Sequence, residues 1–485
     1  MTSTLPPHNT RWFFIAAATL LGGCSTLQPA VDMPQKSMDA MAYRQTPPTS
    51  AENLDAATWR GFADPVLTEL MNVVQRENLD VRIAQQRVLQ AQAGSTAMAS
   101  RLWPTLSVNS TASDQRSGLP TEVKRGMPDA RAIRGALDLG WEIDVAGAAR
   151  AAADAAALDA LAAGSGVEVA RWLASTEIAR HYLLWQGARL RLQHTQALLN
   201  VQEEIEALVR RRQTHGLASN LEVARAAAEL QALAAQLPAL RTLVTTTEHQ
   251  IDVLLGRSPS ALEAPWRQAP AALPSVPGLM PGQTPELLNR RPDLRVAEQQ
   301  LRAESARLRE SQADLWPRFF LSSVLGQQDL RLNGLDLAPV AYRSVALLFT
   351  APVFNAGRLR AAVERQSARE RAATLQYEKA VLNALQDVES SLVVLAQERQ
   401  RCDSLATSLA SRRLADRHAH SLAREGQIDR LQRLEVSKGL LSAELALTEA
   451  QTQRALAAVQ LIKALGGGWN QTPAAPLAQS ASTQP

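Results

Sequence analysis

Residues 381–409 have the sequence VLNALQDVESSLVVLAQERQRCDSLATSL. Apolar residues recur in it on alternating steps of four and three, at Val381, Leu385, Val388, Leu392, Leu395, Cys402 and Leu409. Arg399 and Ala406 occupy the two remaining positions of this repeat. An apolar repeat of 3.5 residues is typical of helices that coil around one another. The stretch therefore predicts one arm of a long coiled-coil helix, running from Gly357 to a turn near Gly426.

The same spacing continues beyond that turn, so residues 357–466 predict a hairpin of two long helices. The return arm carries the repeat at Leu434, Leu441, Leu445, Thr448, Ala455, Val459 and Ile462. Residues 147–256 predict a second hairpin of the same kind, with its turn near Gly216. Its return arm carries the repeat at Leu230, Leu233, Leu237, Leu240, Val244, Ile251 and Leu254, and Pro238 predicts a bend there.

The two hairpins are copies of one unit. Glycines 147, 216 and 256 precede glycines 357, 426 and 466 by a constant 210 residues. Upstream, Asp80-x-Arg82 and Trp103-Pro104 precede Asp293-x-Arg295 and Trp316-Pro317 by 213 residues. A constant offset across this length indicates internal duplication, which constrains the fold more than any single motif. We predict a first repeat over residues 59–256 and a second over residues 291–468.

Each repeat also contains a predicted β-hairpin ahead of its long helices. The strands are expected at about 104–112 and 131–145, and at about 318–328 and 341–354. Their apolar and polar residues alternate, which gives each strand one apolar and one polar face. Four strands cannot close a barrel within one chain, so strands in a membrane would have to be pooled from several chains. Trp103, Trp141 and Trp316 would then lie at the membrane interface. Periodicity alone leaves open the alternative of a soluble sheet that caps a helical bundle.

Composition narrows the class of protein. The chain has 485 residues, with 51 basic and 47 acidic side chains spread along the helices, and aromatic residues make up only 4%. This mild positive excess does not favour nucleic-acid binding. The two cysteines, Cys24 and Cys402, allow neither a metal-binding spacing nor a disulfide framework. No His-Glu-x-x-His motif, phosphate-binding loop or nucleophile elbow is present, so we expect no catalytic residues, no metal and no cofactor.

The N-terminus predicts export from the cytoplasm. Residues 1–23 combine a basic residue, a short apolar run and small residues, as in a bacterial signal peptide. The final Leu-Gly-Gly before Cys24 resembles the lipobox of bacterial lipoproteins, which implies cleavage there and acylation of Cys24. The alternative is an ordinary signal peptide or an uncleaved anchor. Residues 24–58 then form an acylated tether, residues 257–290 a proline-rich strap between the repeats, and residues 469–485 a flexible tail.

Five motifs lie in order along the mature chain. They are WEID at 141–144, NRRPDLRVAE at 289–298, APVFNAGRL at 351–359, LQDVE at 385–389 and KALGGGW at 463–469. In these motifs the chain resembles the outer-membrane efflux channels, the TolC-like group, and within it the nodulation-T-type lipoproteins. Each motif alone is weak, but together they are specific.

The resemblance implies a mainly α fold with a small β part. It implies a homotrimer in which each chain gives four strands to one twelve-stranded barrel in the outer membrane. The long hairpins would form a tunnel through the periplasm, with their tips facing a periplasmic adaptor and an inner-membrane pump. Such a channel is the passive exit duct of a tripartite efflux pump for small molecules. Two alternatives are a lipid-anchored periplasmic scaffold without a pore, and a duct for polypeptide secretion.

The hairpin tips are the candidate sites for adaptor contact and aperture closure. Gly216 and Gly426 are first of all turn residues, because glycine adopts positive φ readily. Candidate polar contacts are made by Asn220, Arg424, Asp429 and Arg430, for which ordinary solvation is an equal alternative. Arg430 stands where the family usually has an apolar residue.

Overall fold

The computed structural model describes residues 56–116, 118, 120, 129–276, 290–332 and 335–467. Several predicted features lie outside the described residues: the signal peptide, Cys24, nearly all of the tether, the later part of the strap and the tail.

The first repeat begins with a 3-10 helix at Ala56–Phe62. It continues with α1 (Pro65–Glu77), α2 (Leu79–Ala99), a 3-10 turn (Ser100–Leu102), β1 (Thr105–Gln115), β2 (Ala130–Ile143), α3 (Ala148–Thr214), α4 (Asn220–Ala234) and α5 (Gln236–Leu254). A short helix, α6 (Ala264–Gln268), lies in the strap. The second repeat contains α7 (Pro292–Ala313), β3 (Arg318–Leu332), β4 (Leu335–Asp336), β5 (Val340–Thr350), α8 (Arg358–Arg424) and α9 (Arg430–Ala464).

The long helices confirm the predicted duplication. Helices α3 and α8 each contain 67 residues, which corresponds to about 100 Å at 1.5 Å per residue. The three pairs of glycines at the 210-residue offset all adopt positive φ, between 67° and 83°. These residues begin and end the helices, where a left-handed conformation is needed and a side chain would be strained. Among the described residues, no helix is sufficiently long and apolar to span a membrane.

The hairpin turns are built identically in the two repeats. At the first tip the backbone N–H of Leu217 donates to the carbonyl of Arg212, at 2.8 Å. At the second tip Gln427 and Leu422 make the same bond, also at 2.8 Å. The return helices then start with capping boxes, formed by Ser219 with Glu222 and by Asp429 with Gln432. These bonds satisfy backbone groups that a helix end otherwise leaves unpaired.

The apolar repeat of α8 is buried as the spacing predicts, with two additions. Val381, Val388, Cys402 and Leu409 are buried, and the other leucines of the repeat are partly buried. Two small residues that the repeat omits, Ala384 and Ser391, are buried as well. Small side chains there allow neighbouring helices to approach closely, which explains why a pattern of large apolar residues misses them.

The helix of the first return arm is interrupted close to the predicted bend. The arm is divided into α4 and α5 at Ala235, three residues before Pro238. Proline has no N–H to donate to the carbonyl four residues earlier, and its ring crowds that carbonyl. The return arm of the second repeat, α9, has no proline and is continuous over 35 residues.

The largest core lies midway along the helices. Tyr182 and Trp185 of α3 are buried there with residues of α1, α5 and α9. The Tyr182 hydroxyl donates to the Asp64 carboxylate at 2.8 Å, and this carboxylate also caps α1 through the N–H of Val66, at 2.8 Å. The strap packs on the outside of this core through Trp266. The strands, in contrast, extend away from it.

Within the described residues, the four long strands join one antiparallel sheet, in the order β1-β2-β3-β5, and β4 pairs only with the end of β3. Each repeat supplies one hairpin, and the β2–β3 ladder connects the repeats over 14 residue pairs. Two strands end earlier than predicted, at Ile143 and Thr350. After Ile143, Asp144 turns to accept from the backbone N–H of Arg150, at 2.8 Å. After Thr350, Pro352 removes a donor that a strand ladder would need.

Candidate functional site

One face of the sheet is apolar and bare. Side chains of directly paired residues share a face, so the register assigns each residue to one side. Leu137 pairs with Val108 on β1 and with Leu325 on β3. Trp141 pairs with Leu321, which pairs with Leu347. Most of the face so defined is apolar: it carries Leu106, Val108, Leu137, Leu139, Trp141, Ile143, Phe319, Leu321, Leu325, Val345, Leu347 and Phe349, and in addition Ser323 and Arg343. All of these residues are exposed or partly exposed in a single chain.

The opposite face of the sheet is mostly polar or small. Ser107, Asp138 and Ser344 lie on it in one cross-strand row with Val324. The amide of Asn109 donates to the Asp138 carboxylate across β1 and β2. A sheet with one bare apolar face is stable where that face meets lipid or another apolar surface.

Both edges of the sheet are open. In the described chain, β1 pairs with β2 alone and β5 pairs with β3 alone. An edge of 11 residues leaves a row of backbone N–H and C=O groups without strand partners. The sheet is therefore an incomplete structure that further strands can extend at either side.

The three predicted interface tryptophans lie together at the helical end of the sheet. Trp103 and Trp316 each stand just before a strand and are 72% and 65% exposed. Trp141 lies near the end of β2, and its indole Nε1 donates to the carbonyl of Leu102 at 3.0 Å. Exposed tryptophan is favoured where an apolar belt meets water. The arrangement agrees with the predicted role of these residues, which remains a prediction.

The tips of the two hairpins are joined by charged side chains. The Arg212 guanidinium at the end of α3 donates to the Asp429 carboxylate before α9, at 3.0 Å. Arg430 donates to Glu204 of α3, also at 3.0 Å. Lys438 of α9 donates to Glu229 of α4, at 2.6 Å. Two of the predicted tip residues, Asp429 and Arg430, therefore connect the two repeats.

Beneath these charges lies a small apolar cluster of Ile205, Val209, Ala226 and Leu434. The other predicted tip residues act within their own hairpins. Asn220 accepts a hydrogen bond from the Gln213 amide at 2.9 Å, and Gly216 and Gly426 form the turns with φ of 73° and 74°. Arg424 is the exposed last residue of α8.

Sequence reasoning missed the role of Arg291, which joins the start of α7 to two long helices. Its buried guanidinium donates to Asp293 at 2.7 Å, to Asp387 of α8 at 3.2 Å and to the carbonyl of Ala464 at 3.3 Å. In the first repeat Asn78, at the 213-residue offset, donates to the carbonyl of Leu254 at 2.8 Å. In both repeats, therefore, a backbone carbonyl at the end of the return arm accepts a hydrogen bond from a side chain at the start of the short helix. Aligning the repeats residue by residue would have found this pair.

Within the described residues, no cluster of three or more His, Cys, Asp or Glu side chains is placed to hold a metal ion. The structural features that stand out are instead the bare sheet face, its open edges and the joined tips. The sheet lies at one end of helices about 100 Å long and the tips lie at the other end.

Comparison with known proteins identifies the family. The chain belongs to the outer membrane efflux protein family, whose sequence pattern matches residues 70–257 and 284–467. The pyoverdine export outer membrane protein OpmQ of Pseudomonas aeruginosa is 30% identical over 471 residues, covering 94% of this chain and 96% of OpmQ. The toluene efflux pump outer membrane protein TtgI of Pseudomonas putida is 27% identical over 463 residues, covering 94% of this chain and 97% of TtgI.

The fold agrees with solved channels. The outer-membrane channel OprN superposes with a TM-score of 0.76 at 28% identity, covering 88% of this chain and 96% of OprN. These comparisons confirm the predicted family, the mainly helical fold with a duplicated unit and the outer-membrane location. The family is one of channels and not of enzymes.

Proposed function

We propose that this chain forms the outer-membrane exit duct of a tripartite efflux pump and conducts small molecules passively from the periplasm to the outside. The observation that carries this proposal is the bare apolar sheet face at one end of two duplicated helical hairpins. The two efflux repeats, residues 59–256 and 291–468, supply one strand hairpin and one helical hairpin each. An adaptor and an inner-membrane pump complete the system and supply the energy.

The functional unit of the proposal is a homotrimer. Each open edge of the sheet needs a partner in lipid, where unpaired backbone groups cost several kcal/mol. Pairing β5 of one chain with β1 of the next satisfies both edges, and three chains give twelve strands in one closed barrel. The apolar face then meets lipid and the polar face lines the bore.

Two further features hold the duct in the outer membrane. Trp103, Trp141 and Trp316 mark the periplasmic boundary of the lipid, because they lie at the helical end of the sheet. Acyl chains on Cys24 add a second attachment at the same membrane. This lipid is the one covalent group of the proposal, which includes no cofactor.

The hairpin tips are the proposed adaptor contact and the periplasmic aperture. The pairs Arg212–Asp429 and Arg430–Glu204 hold the tips of the two hairpins side by side. Both pairs are well exposed, and an exposed pair contributes roughly 0.2–1 kcal/mol. Such weak bonds suit an aperture that must open when an adaptor offers competing contacts.

Relatives favour small molecules as cargo. One relative is named for toluene efflux and another for pyoverdine export, and both are small organic compounds. A scaffold without a pore has no use for a bare apolar sheet face. Secretion of polypeptides has no comparable support among these relatives.

Planar-bilayer conductance of the purified protein tests the duct. We expect a trimeric mass in detergent and a small resting conductance that rises severalfold in Arg212→Ala. Asp429→Asn keeps a side-chain acceptor for the helix cap and removes the charge, so it should raise conductance too. Arg401→Ala, which removes a pair with Glu398 inside α8 and away from the tips, is the matched control and should leave conductance unchanged. A monomeric protein that conducts in none of these variants would contradict the proposal.

A further inference from the structure

Helix α7 is covered on two sides by long helices of its own chain. It packs along both α3 and α8. Toward α3, Arg295 pairs with Glu168. Toward α8, the hydroxyl of Ser305 donates to Glu370 at 2.6 Å. As a result, residues such as Ala303 and Ala306 are completely buried.

Helix α2 is the copy of α7 at the 213-residue offset, and only half of it is covered. The covered half packs along α3, which is the copy of α8, and buries Val81 and Ala84. The other half is bare. Gln90 and Ala93, the counterparts of the buried Ala303 and Ala306, are exposed. Among the described residues, α2 therefore has no neighbour that would correspond to α3 beside α7.

Helix α8 has an exposed surface that matches what this neighbour of α2 would need. At the 210-residue offset, α8 is the copy of α3, and the strip of α3 that includes Ala162, Ser165 and Trp172 is buried. The counterparts on α8 are Ala372, Leu375 and Leu382, and all three are exposed. Leu375 and Leu382 lie seven residues apart on one side of the helix and are 65% and 56% exposed. Such exposure is unusual for two leucines on the same helix face.

We infer that α2 of one chain docks on α8 of a second copy, with Arg82 paired to Glu378. Arg82 is the counterpart of Arg295, and Glu378 is the counterpart of Glu168, so the inferred contact repeats an ion pair that the single chain already contains. This inference rests on the proposed trimer and specifies which faces meet.

The occupant is a second copy because only the chain itself carries both halves of the contact. Of the three ion pairs between α7 and α3, this is the one whose charges are repeated: Arg307–Asp159 has Gly94 and Arg369 as counterparts, and Arg309–Asp154 has Thr96 and Glu364. The docking also agrees with the sheet. Helix α2 leads into β1, and β5 leads into α8, so the contact aligns the two open strand edges of the same two chains.

Thiol cross-linking with a short bismaleimide tests the contact in the full-length protein, because long Arg and Glu side chains keep their Cα atoms too far apart for a direct disulfide. In a Cys402→Ala background, Arg82→Cys combined with Glu378→Cys should give covalent dimers and trimers on denaturing gels. Arg87→Cys with Glu378→Cys is the matched control. Arg87 corresponds to the exposed Gln300 on α7, so it should face away and remain uncross-linked.

Charge reversal gives an independent measurement. Arg82→Glu and Glu378→Arg should each weaken the trimer, by about two- to fivefold in dissociation constant for an exposed pair, and the double reversal should restore it. Arg87→Glu should have no effect. The inference would be overturned if the wild type were a stable trimer that cross-linked through position 87 and not through position 82. It would also be overturned if neither charge reversal changed the dissociation constant of the trimer. Both outcomes would leave the proposed duct intact. A monomeric wild type would overturn the proposed function as well.

Discussion

At the scale of single residues, two glycines of the second repeat show two different costs of adding a side chain, the strain of a positive φ and steric crowding. Gly426 and Gly466 both have positive φ, but only Gly466 is crowded: a Cβ there would lie 3.1 Å from the backbone of Arg290 and Arg291. We therefore expect Gly466→Ala to lower the free energy of unfolding by about 1–3 kcal/mol more than Gly426→Ala. Denaturant unfolding of the two variants, followed by circular dichroism in the same detergent, measures the difference. If the two variants lost equal free energy of unfolding, the strain of a positive φ alone would account for the cost.

The same residues show how far sequence reasoning reaches at this scale. Glycines repeated at a fixed offset share one conformational requirement, a positive φ, so their positions in turns can be predicted from the sequence. Arg291 gives no such signal on its own, because its partners Asp387 and Ala464 lie 96 and 173 residues away, and only its alignment with Asn78 of the first repeat marks the position. A single arginine in a charged motif is compatible with a surface position as well.

At the scale of an element, the start of α4 contains a pH-sensitive cap. Hydrogen bonds from the backbone N–H and then the hydroxyl of Ser219 lower the pKa of the Glu222 carboxyl. A group with a lowered pKa in the folded state stabilises it above the unfolded value, and this contribution is lost as pH falls through the lowered pKa. The cap should therefore weaken on acidification below the ordinary glutamate range.

Glu222→Gln provides the comparison, because glutamine keeps the acceptor and does not titrate. We expect hydrogen exchange of the first turn of α4 to accelerate in acid more in the wild type than in Glu222→Gln, after correction for intrinsic rates. Parallel behaviour of the two proteins would contradict a titrating cap.

Element positions were predicted more accurately than element ends. The strand at about 131–145 was located by alternation, but its last residues depend on Asp144 turning back to Arg150, a local bond that periodicity does not report. Likewise, the heptad spacing found Val381 and Val388 but not the small buried residues between them, Ala384 and Ser391, since burial of small residues depends on how closely another helix approaches.

At the scale of the whole molecule, the decisive features connect parts of the chain that are distant in sequence. Arg212 and Asp429 are 217 residues apart, and the β2–β3 ladder joins the two repeats with a register that alternation within each strand cannot provide. The duplication predicted two like units, but not the contacts by which they pack. Those contacts produce the single apolar surface on which the proposed membrane insertion depends.

That surface leads to a test with adjacent residues. Leu347 lies on the apolar face of β5, and its neighbour Ala346 lies on the opposite face, both on exposed positions of the same strand. Arginine on a lipid-facing strand costs about 2–4 kcal/mol at the bilayer midplane and up to about 1 kcal/mol near the interface, where the row of Leu347 and Trp141 lies. We expect Leu347→Arg to reduce the fraction of protein recovered in the outer membrane severalfold and to increase its extraction by urea, while Ala346→Arg, facing water in the bore, remains membrane-bound. If Ala346→Arg were lost from the membrane and Leu347→Arg retained, the two faces of the sheet would have to be exchanged. The apolar surface would then line a contact between proteins instead of meeting lipid.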